Sequence, residues 1–249
     1  MRQKIVAANW KMNIPEGGIH TYFAALRHIT PSPKVQTIWC VPAPYLTMSQ
    51  EQQKRTNSCI AAQNMYSEPQ GAFTGEVSAA MLQDLNIPCV LIGHSERRTW
   101  FQEGNELLEK KCLQAINSKL QIIYCIGETL EERKSEATWE VLRKQLHFLK
   151  RLPELHPQSF CIAYEPVWAI GTGLSATPTQ AEEAHLFIRE EVAKECSSQL
   201  AKAMPILYGG SVSPDNVSSL AQYEDIDGVL VGGASLVAEK FSKIMMAWG

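Results

Sequence analysis

The chain has 249 residues, 23 Lys+Arg against 26 Asp+Glu for a formal charge of −3, and is 45% apolar and 20% charged. This near-neutral, ordinary globular composition excludes a nucleic-acid binder that works through a broad basic surface, and it excludes a disordered acidic tail. A chain this long buries about 70–75% of its unfolded surface, so it needs neither disulfides nor a structural metal to stay folded.

The first apolar run, Ile5-Val6-Ala7-Ala8, is cut off by Asn9-Trp10-Lys11. It is too short for the apolar region of a signal peptide, and no run approaches the ~18 residues of a membrane span. The expectation is a cytoplasmic protein without membrane or nucleic-acid partners. Further runs begin near Thr37, Ile60, Val90, Ile122, Cys161, Ile206 and Val229, on average 32 residues apart. They are short and almost continuously apolar, as in Ile122-Ile123-Tyr124-Cys125-Ile126. Such runs suit strands buried on both faces of a parallel sheet.

Helical patterns lie between the runs. Residues 106–116 place Leu108, Cys112, Ala115 and Ile116 on one face, and Ala181 to Cys196 do the same with Ala184, Phe187, Ile188, Val192 and Cys196. Thr177-Pro178 and Ser213-Pro214 both read as an N-cap followed by proline at the first helical position. Eight strands alternating with about eight helices, with no linker-like stretch, predict an α/β fold: a single closed (β/α)8 barrel of eight parallel strands occupying residues 1–249. An open doubly wound sheet is the alternative.

The seven cysteines form no Cys-x-x-Cys pair, and the six histidines lack metal-ligand spacing. Five cysteines fall inside the apolar runs, where a thiol behaves as a small buried hydrophobe. A reducing compartment and no metal are expected.

In a barrel of this kind the chemistry sits where strands end. Here strand ends carry Asn9-Trp10-Lys11, Gln63-Asn64, Gly93-His94-Ser95-Glu96, Gly127-Glu128, Glu165-Pro166, Gly209-Gly210-Ser211 and Gly232-Gly233. Pro166 biases Glu165 toward an extended backbone, so the carboxylate has a set direction. It suits general-base work if a dry site raises its pKa. His94 precedes what reads as a short helix, whose N-terminus lowers an imidazole pKa. Lys11 could be a surface amine or, as in barrel aldolases, a Schiff-base nucleophile. The paired glycines after the last two strands, with Ser211, suit a phosphate held by backbone N–H groups. Gly171-Thr172-Gly173-Leu174-Ser175-Ala176 matches a dinucleotide fingerprint but does not join a strand directly to a helix, and it reads better as a mobile lid.

Seven segments together resemble the triosephosphate isomerase family over essentially the whole length. They are Asn9-Trp10-Lys11-Met12-Asn13, Gly71-Ala72-Phe73-Thr74-Gly75-Glu76, Gly93-His94-Ser95-Glu96-Arg97-Arg98, Cys125-Ile126-Gly127-Glu128, the run from Ala163 to Gly173, Tyr208-Gly209-Gly210-Ser211-Val212, and Val231-Gly232-Gly233-Ala234-Ser235-Leu236. The resemblance implies interconversion of dihydroxyacetone phosphate and glyceraldehyde 3-phosphate without cofactor or metal. It implies Glu165 as the base, a neutral His94 as the electrophile, and Lys11 and Asn9 bearing oxyanion charge. Gly171, Ser211, Gly232 and Gly233 would hold phosphate. Pro166, Val167, Trp168, Gly173 and Ala176 would belong to the lid, with Ser95, Glu96, Cys125 and Tyr208 as supports. It also implies a homodimer in which Thr74 reaches the partner's site. Leu174, where many relatives carry Lys, and Val41-Pro42-Ala43-Pro44 depart from the family pattern. A Schiff-base aldolase acting through Lys11 and a non-catalytic phosphate-binding barrel remain as alternatives.

Overall fold

Strands form at all eight apolar runs: β1 (Lys4–Asn9), β2 (Val35–Val41), β3 (Ser58–Ala62), β4 (Cys89–Ile92), β5 (Gln121–Ile126), β6 (Phe160–Tyr164), β7 (Ile206–Tyr208) and β8 (Gly228–Val231). The computed structural model describes residues 2–53, 56–153, 155–170 and 175–248. Among these, each strand pairs in parallel with its chain neighbour and β8 pairs with β1, closing a barrel. Helices cover it: α1 (Gly18–Leu26), α2 (Leu46–Gln52), α3 (Ala79–Asp84), α4 (Ser95–Trp100), α5 (Asn105–Asn117), α6 (Leu130–Lys134), α7 (Thr138–Leu146), α8 (Pro178–Glu195), α9 (Ser198–Ala203), α10 (Val217–Leu220) and α11 (Ala238–Met246). No helix is long and apolar enough to cross a membrane among the described residues.

The apolar runs are continuous because each strand has two dry faces. Ile5 and Ala7 point into the barrel, while Val6 and Ala8 pack against the helices. The lumen is filled by small and branched side chains, among them Cys40, Cys89, Cys125 and Cys161, with Cys59 packed against them. All five cysteines of the strands and the two in helical segments are free thiols. The same alternation carries the next inward position to the barrel mouth. After Ile5 and Ala7 comes Asn9, after Ala61 comes Gln63, and after Cys161 and Ala163 comes Glu165.

Helix α5 buries Leu108, Cys112 and Ala115 as its periodicity predicts, but also Lys111. Helix α8 starts at the predicted cap, with a full capping box between Thr177 and Gln180. Its buried face keeps Ala184, Ile188 and Val192 of the apolar pattern, with additions the pattern does not show. Phe187 and Cys196 are half-exposed, whereas His185, Arg189 and Glu191 are buried. Arg189 accounts for this: it donates to Asp225 at 2.6 Å, to Asp227 at 2.9 Å and to the Ala201 and Met204 carbonyls. A guanidinium so fully satisfied can replace an apolar side chain. Burial pushes the His185 imidazole down to about 4, so it sits in the core uncharged. The second predicted cap is not a helix start. Ser213 Oγ does accept the Asp215 N–H and Asn216 Oδ1 accepts the Ser213 N–H, but residues 214–216 form a turn and α10 begins only at Val217.

Candidate active site

Strand ends and the loops after them build one cavity at the C-terminal mouth, of about 330 Å³. That lies at the small end of ligand sites, roughly 300–1,000 Å³. Asn9, Lys11, His94, Glu165, Ser211, Gly232 and Gly233 all line it. Seven positions from five strand ends thus meet at one place.

Glu165 is buried at 2% exposure. Its Oε2 accepts the Ser95 backbone N–H at 2.9 Å and its Oε1 lies 3.0 Å from His94 Nε2. Two glycines make room for it: a Cβ on Gly127 would overlap the Glu165 backbone carbonyl, and one on Gly209 would press its Cγ. His94 reaches the mouth because Gly93, which occupies the inward register position, adopts φ +79° and turns the chain. His94 then caps α4, its Nδ1 accepting the Glu96 backbone N–H at 3.2 Å. Only an unprotonated nitrogen can fill that role, so the proton of a neutral ring sits on Nε2 and points at Glu165.

Burial opposes charge on both groups. At His94 the Glu165 carboxylate outweighs burial and raises the pKa above the ordinary imidazole value. At Glu165 the His94 ring, the Ser95 N–H and Lys11 outweigh burial and hold the carboxyl below the usual range. Both directions are opposite to those expected from a dry site and a helix N-terminus alone, because the two groups face each other directly.

Lys11 has a left-handed backbone, φ +51°. For a lysine this costs about 1–2 kcal/mol, and such strain collects at functional sites. Nothing in the linear sequence signals it. The Lys11 ammonium is 2.6 Å from Glu96 Oε1. Asn9 Oδ1 accepts the Lys11 N–H at 3.0 Å, and Asn9 itself lines the cavity. The Cys125 thiol lies buried close enough to Glu165 that the carboxylate, after burial, pushes its pKa up.

The expected lid hinge is held by a residue that sequence reading left without a role. Glu128 is fully buried, and its Oε1 accepts from Trp168 Nε1 at 2.8 Å and from the Tyr164 hydroxyl at 3.1 Å. Arg133 adds a contact to the same oxygen and stacks 4.6 Å from the Trp168 ring centre. Pro166 leads into a single 3₁₀ turn, Val167–Ala169. Ala176 and Tyr208 are buried together on the far side, and Gly210 leaves the space the Tyr208 hydroxyl occupies. Gly171, Gly173 and Leu174 lie outside the described residues. Thr74 sits in an exposed turn, away from this chain's own cavity lining. No group of three or more His, Cys, Asp or Glu is placed to hold a metal among the described residues.

A family profile described as triosephosphate isomerase matches residues 4–248. Three similar proteins bear that same description. The one from Finegoldia magna is 45% identical over 249 residues, covering 98% of each chain. The one from Endomicrobium trichonymphae is 44% identical over 247 residues, again 98% of each. The one from Xanthomonas campestris is 44% identical over 248 residues, 99% of this chain and 98% of the other. The chain belongs to the triosephosphate isomerase family. It is therefore an enzyme of the aldose–ketose isomerase class, and its closed barrel is the architecture for which that family is the namesake.

Proposed function

We propose that the chain interconverts dihydroxyacetone phosphate and D-glyceraldehyde 3-phosphate through an enediolate. The observation that carries this is the pairing of a buried carboxylate with an imidazole at 3.0 Å, in a cavity that also holds a lysine and an asparagine. Glu165 takes a proton from the carbon beside the carbonyl and returns it to the neighbouring carbon, while the hydroxyl proton passes by way of His94 Nε2 to the former carbonyl oxygen. A substrate oxygen replaces Glu165 as partner of the His94 Nε2–H. That removes the Glu165 hydrogen bond, one of the influences that raise the imidazole, while the Glu96 N–H on Nδ1 continues to favour the neutral ring. Lys11 and Asn9 stabilise the developing oxyanion as fixed donors, each worth roughly 10²–10³-fold in rate. Ser211, Gly232 and Gly233, with Gly171, take the phosphate through backbone N–H groups. Closure of the segment between Pro166 and Ala176 keeps water from the enediolate. Fixed donors supply the polarisation, so this scheme uses no cofactor or metal.

The same reading includes a homodimer. Beside Asn9, Lys11 and His94 opens a second cavity of about 610 Å³, lined by Met12, Trp100 and Phe101. These three are 95%, 76% and 63% exposed, an apolar surface of the kind that marks an interface. The turn around Thr74 borders that cavity through Gly75 and Glu76, and the same turn of a partner would enter it. Sedimentation is expected to give a dimer, and Trp100→Asp is expected to shift it toward monomer; a monomeric wild-type chain would overturn this part. The free thiols of the strands support a reducing, cytoplasmic setting.

The test is a coupled assay with glyceraldehyde 3-phosphate, followed by borohydride treatment in the presence of substrate. Isomerisation without a trapped adduct supports the proposal. A trapped adduct on Lys11 would assign an aldolase, and binding without turnover a non-catalytic barrel.

A further inference from the structure

Left-handed backbone at a non-glycine residue persists only where its surroundings over-determine it. At Lys11 they do so through side-chain amides. Asn9 Oδ1 accepts the Lys11 N–H, and Asn13 Nδ2 donates to the preceding carbonyl, that of Trp10, at 2.9 Å. From across the barrel mouth, Gln63 Nε2 donates to the Lys11 carbonyl at 2.9 Å and to the Cys40 carbonyl at 3.0 Å. Both protons of the Gln63 amide are thus used on the ends of β1 and β2, so the amide has one orientation: a flip would set its oxygen against two carbonyls. Its support is rigid. The next residue, Asn64, accepts from the buried Lys111 ammonium at 2.8 Å, and Lys111 is itself paired with Glu103 at 2.6 Å.

We propose that Gln63 is a positioning residue for Lys11, holding residue 11 in its left-handed conformation and so keeping the ammonium at the phosphate end of the cavity. This rests on the reading of Lys11 as the cation that meets the triose phosphate. The side chain of Lys11 passes close to Gly232, where a Cβ would stand 3.6 Å from its Cε, and ends beside Glu96. If the carbonyl were released, residue 11 would relax to negative φ, and its Cα–Cβ bond would turn away from that path. The ammonium would then have to reach the same point from a different origin, with less order.

Gln63→Met keeps length and volume and deletes both donated hydrogen bonds. The expected result is a rise of about ten- to a hundredfold in KM for glyceraldehyde 3-phosphate, matched by an equal weakening of inhibition by inorganic phosphate. Gln36→Met, which removes an amide paired with Gln121 at the opposite end of the barrel, is the control and should change neither. Unchanged KM and phosphate inhibition in a folded Gln63→Met enzyme would overturn the proposal. If that variant does not fold, Gln63→Glu decides. Its carboxyl can donate one hydrogen bond when protonated and none when ionised, so the ratio of its kcat/KM to that of wild type should fall as pH rises; a ratio flat with pH overturns the proposal equally. A wild-type chain without isomerase activity would instead sink the reading of the site, so the two failures are distinct.

Discussion

Glu165→Gln is expected to lower kcat by about 10²–10⁴-fold, the contribution of a positioned general base. KM for glyceraldehyde 3-phosphate should stay near its original value. The amide has the same shape, and its oxygen can still accept from either the Ser95 N–H or the His94 Nε2–H, which both donate to the carboxylate in wild type. It cannot take a proton from carbon. The loss corresponds to roughly 3–5 kcal/mol of transition-state stabilisation. The proposed phosphate ligands, Ser211, Gly232 and Gly233, are other residues, so binding should be left largely alone. The pH profile follows from the same contacts. Burial acts to raise the Glu165 pKa, but His94, the Ser95 N–H and Lys11 hold it below the usual carboxylate range. The base is then ionised across neutral pH, and its activity should be lost only as pH falls below that ordinary range. Steady-state kinetics of the variant decide the matter: a surviving kcat with a greatly raised KM would show that Glu165 binds substrate and is not the base.

Gly127→Ala is expected to damage both catalysis and stability although residue 127 lines no part of the cavity. A Cβ there would occupy the space of the Glu165 backbone carbonyl. Gly127 cannot retreat, because Gln145 holds it on both sides, accepting its N–H at 2.8 Å and donating to its carbonyl at 2.9 Å. The end of β6 must move instead, and it carries Glu165, the proposed base. A displacement near 1 Å costs on the order of 10²-fold in rate, and overpacking of this kind costs about 1–3 kcal/mol in folding. Urea unfolding and kcat, measured on the same preparation, should both show the loss. A variant with wild-type kcat would mean that the spacing between the ends of β5 and β6 does not set the position of Glu165.

Much of the frame was open to sequence reasoning for a physical reason. A strand buried on both faces must be apolar at every position, so Val90-Leu91-Ile92 and Val229-Leu230-Val231 announce themselves. The mouth residues were likewise marked by where apolar character stops. Alternation then places Asn9, Gln63 and Glu165 inward, in phase with Ala7, Ala61 and Ala163. Helix faces were less legible. On α8 the apolar pattern pointed to Phe187 and Cys196, while Arg189 and His185 were buried through partners nearly 40 residues away, Asp225 and Asp227. Periodicity cannot register a charge whose compensation lies elsewhere in the chain. The role of Glu128 was missed in the same way, since a glutamate after a strand reads as solvated until Trp168 and Tyr164 are seen to donate to it.

By itself the amino-acid order determined that eight short dry segments would alternate with amphipathic ones, and which polar side chains would stand at their ends. These follow from local burial and backbone preference, which act over a few residues. Only the closed barrel decided how those side chains meet: the 3.0 Å approach of His94 to Glu165, the shift of both pKa values against the simple expectation, and the left-handed turn of Lys11 under the Gln63 amide. Each depends on a distance between groups from different strands, and such a distance exists only once the sheet has closed on itself.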